Sequence, residues 1–207
     1  MTIKTSLFET AKIQHADWHL DPHFFDTTTA SAHLTTLVNS LVWQHYTLKL
    51  FGKELPQPRL TAFYGDKGIA YAYSGLTLQA LPYTDLLKQI QTKIEGAYGV
   101  KFNCVLANYY RDGNDSMGWH SDDEPSLGLD PVIASVSFGA ERSFHLRHKF
   151  DAQVPTQKLR LNNGSLLMMQ GKSQSHWQHQ LPKSKKVSGP RVNLTFRRIV
   201  SLGGREL

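Results

Sequence analysis

The chain has 207 residues, enough for one large domain or for a core with an appended lobe, and can bury a sizeable interior. Its 23 lysines and arginines against 17 acidic residues leave a formal charge of +6, which suits either a polyanionic partner or an ordinary solubilising surface. A single cysteine, Cys104, excludes an intrachain disulfide framework, and the lack of a signal-peptide core or a bilayer-length apolar run sets membranes aside and points to the cytoplasm.

Residues 1 to about 25 read as irregular, with Phe8, Trp18, Phe24 and Phe25 scattered along them. His15, His19 and His23 have helical spacing, but Pro22 and the absence of apolar periodicity make them surface histidines. From about Thr29 to Tyr46, Leu34, Leu37, Val38, Leu41 and Val42 recur at three- and four-residue steps, which predicts an amphipathic helix. Leu48 to Arg59 predicts a hairpin whose tip is Phe51-Gly52-Lys53. An exposed apolar tip is costly to hydrate, so it is either folded back or kept for a partner. Tyr71-Ala72-Tyr73-Ser74 puts aromatics on alternate positions of a strand, an arrangement open to nucleobase stacking and equally to a cross-strand core pair. A second helix is expected over about Thr84 to Glu95, with Leu86, Leu87, Ile90 and Ile94 on one side and Gly96 as its C-cap.

After Gly99 short β-rich runs alternate with turn signals: 101–110, 132–138, 143–147, 158–161, 165–169 and 192–200. The spacing suggests a sandwich or jelly roll, so the fold class is mainly β with flanking helices. The expected organisation is 1–98 as N-terminal helices and a lid packed on the core, and 99–207 as the core itself. Cys104 lies among apolar neighbours and reads as a small buried filler.

Within this half, His120-x-Asp122 offers an imidazole and a carboxylate that converge when the segment is extended. His179 can complete two histidines and one carboxylate, the facial set that leaves open positions on a non-haem ferrous ion, and His176 competes with it for that place. Arg191-Val-Asn193-Leu-Thr195-Phe-Arg197 alternates without a break, placing its polar residues on one face of a strand and Val192, Leu194 and Phe196 on the other. An outward polar face would be a basic edge in water. An inward one requires an anion for each guanidinium, and a small dicarboxylate gripped at both ends would satisfy them.

Asn108-x-Tyr110, His120-x-Asp122, His179 and Arg191-x5-Arg197, in that order over a β-rich region, resemble the Fe(II)/2-oxoglutarate dioxygenases of the AlkB type. The phrases at 133–140, 164–169 and 190–197 resemble the subgroup that repairs alkylated double-stranded DNA. The resemblance implies a double-stranded β-helix core with an N-terminal α/β substrate-recognition lid. It implies Fe(II) on His120, Asp122 and His179, which selects His179 over His176 because x-Leu-Pro follows it. It implies 2-oxoglutarate held by Arg191 and Arg197 with Asn108, Tyr110 and Asn193, and O2 as oxidant. Asp123 and Glu124 would meet the base, Tyr71, Ala72, Tyr73 and Ser74 would line its pocket, and Arg59 and Arg142 would contact substrate or backbone.

Phe51-Gly52-Lys53 would be a finger that enters the duplex. Leu50 stands where that pattern begins with valine, so the resemblance carries the finger but not a preference for duplex over single strands. The implied reaction is oxidative demethylation of bases such as 1-methyladenine and 3-methylcytosine, with succinate, CO2 and formaldehyde as products. The expected partner is alkylated DNA, double- or single-stranded, with RNA, a protein or a small molecule as the alternative substrate. Lys183, Lys185 and Lys186 form a basic run, either a solvated loop or a phosphate contact. Nothing in the sequence demands an oligomer, and a monomer is expected.

Overall fold

The computed structural model describes residues 16–50, 53–73, 75–202 and 205–206. The stretch expected to be irregular contains a strand, β1 (Trp18–Asp21), paired antiparallel with a later strand, Trp18 opposite Met169. Four residues are too few to show a period, and their pairing depends on a partner about 150 positions away. His15 lies outside the described residues, and Trp18 packs edge-on against Trp177 with ring centroids 4.9 Å apart.

Helix α1 (Thr27–Ser40) starts where the Asp26 carboxylate accepts the Thr29 N–H at 2.9 Å. It ends six residues before the predicted Tyr46. Leu41 is already extended, and Gln44 forms a bridge with Thr61, so the chain leaves the helix to reach the sheet. Leu37 and Leu41 are buried as expected, but Val42 lies beyond the helix and is 53 % exposed. The predicted hairpin is β2 (Thr47–Leu50) with β3 (Lys53–Pro56), Leu50 opposite Lys53; Phe51 and Gly52 lie outside the described residues. Strand β4 (Leu60–Gly65) follows, then the hairpin β5 (Ala70–Tyr73) and β6 (Leu76–Gln79), and the short β7 (Leu81–Pro82).

Helix α2 spans Asp85–Tyr98, capped by Thr84, whose hydroxyl accepts the Leu87 N–H. It runs through Gly96 and stops at Gly99, whose φ of 66° is left-handed. Glu95 holds that end together: its carboxylate accepts from the Phe102 N–H, from Gln91 and from Lys101.

The remaining elements are β8 (Cys104–Tyr110), β9 (Met117–His120), β10 (Ile133–Gly139), β11 (Arg142–His148), β12 (Gln157–Leu161), β13 (Leu166–Met169), α3 (Ser173–His176), β14 (Trp177–Leu181) and β15 (Arg191–Arg197). They form a seven-stranded sheet, β1-β13-β10-β15-β8-β4-β7, and a four-stranded sheet, β12-β11-β14-β9. This is the jelly-roll arrangement that the spacing of short strands suggested. Strands from both sides of residue 98 share the larger sheet, since β4 pairs with β8 from Leu60 opposite Tyr109 to Gly65 opposite Cys104.

Period-two alternation sorts the core into two layers. Val105, Ala107, Val192, Leu194 and Phe196 pack with Leu37, Leu87, Ile90 and Ile94 of the helices. Leu106, Tyr110, Phe144, Leu146, Met169 and Trp177 belong to a second cluster that links the two sheets. Because Val192, Leu194 and Phe196 face the helices, Arg191, Asn193, Thr195 and Arg197 are turned between the sheets, where all four are buried. The interior reading of that strand is the correct one.

Candidate metal and co-substrate site

The site lies between the sheets, and strand register builds it. His179 on β14 is the cross-strand partner of His120 on β9, so alternation brings both imidazoles to the inner face with ring centroids 4.2 Å apart. Asp122 lies just past the end of β9, and its main-chain N–H donates to Gln174 Oε1 on α3 at 2.9 Å. One ligand atom from each of His120, Asp122 and His179 falls within 4.8 Å of the others, the only such group among the described residues.

Each ligand is oriented by a neighbour. His120 Nδ1 lies 2.9 Å from the Gly118 carbonyl, so it carries the proton and leaves Nε2 for a metal. The His179 ring stacks on Phe144, centroids 5.2 Å apart. Burial raises the Asp122 carboxyl, yet Arg197 and the two imidazoles outweigh it and hold the group at about 2. Burial, with His120 beside it, pushes His179 down to about 3, and burial also lowers His120. At neutral pH the trio is therefore two neutral imidazoles and a carboxylate, the protonation state a divalent metal needs.

Opposite the trio, β15 presents its guanidiniums. Arg197 Nη2 donates to Asp122 Oδ1 at 2.8 Å, while its Nε and Nη1 are buried without a partner. Arg191 Nη2 donates to Ser137 Oγ at 2.8 Å and its Nε also lacks a partner. Burial drags Arg191 down to about 10. It pulls on Arg197 too, but there the Asp122 carboxylate wins and raises the group. Asn193 donates to Ser135 Oγ and the Val136 carbonyl and accepts from Thr195, so it is spent on fixing its own strand. Asn108 accepts from Arg59 Nε at 2.7 Å through its Oδ1, which leaves its amide N–H groups free to donate. The Tyr110 ring lies against Arg191, 5.2 Å from guanidinium carbon to centroid.

These residues line one cavity of about 140 Å³. They fit a ferrous ion and a dicarboxylate: the ligand set is the facial type, and the orphaned guanidinium nitrogens are donors that an anion's oxygens would satisfy.

Residues expected to meet substrate divide. Tyr71 and Glu124 line the cavity and are hydrogen-bonded to each other, and Glu124 Oε2 has no partner. Burial raises both groups, and the Asp122 charge adds to the rise at Glu124. Arg59 lines the cavity as well. Asp123 does not: it is exposed and ion-paired with Lys149 at 2.9 Å, because the residue after a buried ligand in extended chain points the other way. Ala72 is exposed on β5, Tyr73 and Lys53 end and begin their strands, and Ser74 lies outside the described residues. Arg142 is placed elsewhere than expected. It is 2 % exposed, and its guanidinium donates to the carbonyls of Asp112, Asp115 and Pro182 instead of facing the cavity.

His176 sits on α3 with Nδ1 against Ser175 Oγ, outside the trio. Cys104 is buried, and burial pushes its thiol up to about 12, consistent with a filler. The sequence reading missed Gln174, Ser135 and Ser137. The serines were visible in the alternation of Ala134-Ser-Val-Ser-Phe-Gly139, but nothing marked Gln174.

Comparison with known proteins agrees with this geometry. The family model described as the 2OG-Fe(II) oxygenase superfamily matches residues 17–197. The DNA oxidative demethylase ALKBH2 of Homo sapiens is 47% identical over 159 residues, covering 74% of this chain and 61% of that protein. The alpha-ketoglutarate-dependent dioxygenase alkB homolog 3 of Mus musculus is 42% identical over 188 residues, covering 87% of this chain and 65% of that protein. The chain thus spans about three fifths of the length of these relatives. Among solved structures, OsALKBH1 superposes with a TM-score of 0.63 at 18% identity, covering 88% of this chain and 97% of that one, a likeness of fold.

Proposed function

The chain belongs to the 2OG-Fe(II) oxygenase superfamily, and from that membership we propose that it removes methyl groups from alkylated bases in DNA by oxidation, using Fe(II), 2-oxoglutarate and O2. The observation that carries the reading is one cavity in which His120, Asp122 and His179 face two buried guanidiniums with unpartnered nitrogens. Relatives named as DNA oxidative demethylases support the substrate class. When bound, the iron with 2-oxoglutarate and O2 supplies oxidation of a methyl C–H bond to a hydroxymethyl group, which leaves as formaldehyde while the oxo acid becomes succinate and CO2.

The chain's own residues do the rest. His120 through Nε2, His179 and Asp122 would hold the ion, and all three line the cavity. Arg197, already bonded to Asp122, and Arg191 would hold the dicarboxylate through their unpartnered nitrogens. Asn108 and Tyr110 complete the grip, and Asn193 keeps β15 in place through Ser135 and Thr195.

Tyr71 and Glu124 form the wall that receives the base. A stacked base cannot reach that wall, so it is extruded at a cost of a few kcal/mol, less where methylation has disrupted pairing. Lys53 and Arg59, with Phe51 and Gly52 preceding Lys53 in the sequence, serve as nucleic-acid contacts, and the excess of basic residues supplies sequence-independent attraction to phosphates. The hairpins β2–β3 and β5–β6 act as a recognition lid over the core, and the protein works as a monomer in the cytoplasm.

The test is incubation with Fe(II), 2-oxoglutarate and ascorbate on oligonucleotides carrying single methylated bases, as DNA duplex, DNA single strand and RNA, read by product mass. Loss of one methyl from DNA supports the reading. Co-substrate turnover with no change in any nucleic acid would move the substrate to a protein or small molecule.

A further inference from the structure

Two connections join the metal strands to the co-substrate strands. The first, 111–116, leads from β8, which carries Asn108 and Tyr110, to β9 and His120; the second, 182–190, leads from β14 and His179 to β15 and Arg191. Their relative position sets how far the ligands stand from the guanidiniums. They are bonded directly, Gly113 N–H to the Val187 carbonyl at 2.9 Å and Ser184 N–H to the Gly113 carbonyl at 2.8 Å. The approach is so close that a Cβ at Gly113 would fall 1.9 Å from the Ser184 carbonyl oxygen.

Arg142 holds both connections from beneath. Its Nη1 donates to the Asp112 carbonyl at 3.2 Å, and its Nη2 to the carbonyls of Asp115 at 2.9 Å and Pro182 at 2.7 Å. It is 2 % exposed and bonded to carbonyls; burial lowers the guanidinium, Tyr110, Asp115 and Asp112 offset part of that, and its intrinsic basicity keeps it protonated. That charge lies against the ring that Arg191 also uses: the Arg142 guanidinium carbon is 5.7 Å from the Tyr110 centroid, and that of Arg191 is 5.2 Å. A like charge beside Arg191 makes an unpaired Arg191 costlier, and a carboxylate bound there relieves that cost. Burial is the main cause that lowers Arg191, Tyr110 opposes it, and the repulsion from Arg142 adds to it.

We propose that Arg142 is a positioning residue for the co-substrate: by clasping the two connections and placing a second cation behind Tyr110, it tightens the grip of Arg191 on a dicarboxylate. This rests on the functional reading above, in which Arg191 binds 2-oxoglutarate. It makes Arg142 responsible for co-substrate affinity although it touches neither co-substrate nor nucleic acid.

The test measures dissociation constants of 2-oxoglutarate and of succinate for the Fe(II)-loaded protein without oxygen, in wild type, Arg142→Lys and Arg142→Met, with a melting temperature for each. Arg142→Met should weaken both dicarboxylates about tenfold, and Arg142→Lys, which keeps the charge but not the planar donors, should fall between. In turnover, KM for 2-oxoglutarate should rise while kcat at saturating co-substrate stays near that of wild type. Dicarboxylate constants equal to wild type in the folded variants, however far their melting temperatures drop, would make Arg142 a purely structural residue and overturn the proposal. If Arg142→Met does not fold, Arg142→Lys alone decides by the same comparison. Wild-type protein that fails to bind 2-oxoglutarate overturns the functional reading instead, and this inference with it.

Discussion

Arg197 Nη2 lies 2.8 Å from Asp122 Oδ1, with the two side chains 5% and 4% exposed, so a metal ligand and a co-substrate arginine are one buried ion pair. The pair joins β15 of the large sheet to the end of β9 in the small one, and it sets the charge of both halves of the site. Neither member can be altered without stranding the other.

Arg197→Met should therefore destabilise the metal-free protein by about 3–5 kcal/mol, because Asp122 is left as an uncompensated buried charge. Urea unfolding of Arg197→Met, Asp122→Leu and the double variant measures it. The double variant should be more stable than the sum of the single losses predicts. Additive losses would mean that the two side chains are not coupled.

Gly113→Ala should cost about 1–3 kcal/mol, since the added methyl meets the carbonyls of Ser184 and Val187 and the connections must part to admit it. Denaturant unfolding reads the cost. Gly118→Ala, where a Cβ meets nothing within 4 Å, is the control and should be near neutral.

His33 predicts an acid-side loss of stability. Burial, then Lys93, lowers its folded pKa below the ordinary 6.5, so the unfolded chain takes up the proton first and stability falls as pH drops below that value. The ring is packed edge-on against Phe25 and Phe138, which explains why the charged form is unwelcome. Melting temperatures between about pH 7.5 and pH 5.5 should decline less in His33→Gln than in wild type; parallel declines would remove His33 from the account.

Affinity for DNA should fall linearly on a log–log plot against salt, as expected where lysines and arginines displace counterions from phosphates. Fluorescence anisotropy with a methylated duplex measures the slope. A slope near zero would mean that the net charge of +6 has no part in binding.

What could be read from the sequence was what repeats at short range. The unbroken alternation of Arg191 to Arg197 set one face of β15 apart, and the two-residue step of His120 and Asp122 brought their side chains together, as the structure bears out. Helix interiors were legible for the same reason, through Leu37, Leu87, Ile90 and Ile94. Their C-terminal ends were not, because the pairing of Gln44 with Thr61 ends α1, and the bonds from Glu95 to residues 101 and 102 accompany the end of α2 at Gly99. Strand β1, the Gln174 bond to the Asp122 N–H and the burial of Arg142 beneath two loops all depend on residues far away in the chain.

The central claim, that His120, Asp122 and His179 hold one metal ion and Arg191 with Arg197 hold its co-substrate, is tested most directly by anaerobic titration of Fe(II) and then 2-oxoglutarate, followed by visible absorption. The account predicts one ion and one oxo acid per wild-type chain, no ion in His179→Ala, and an ion with much weakened oxo acid binding in Arg191→Met. Equal binding of iron by wild type and His179→Ala would contradict it.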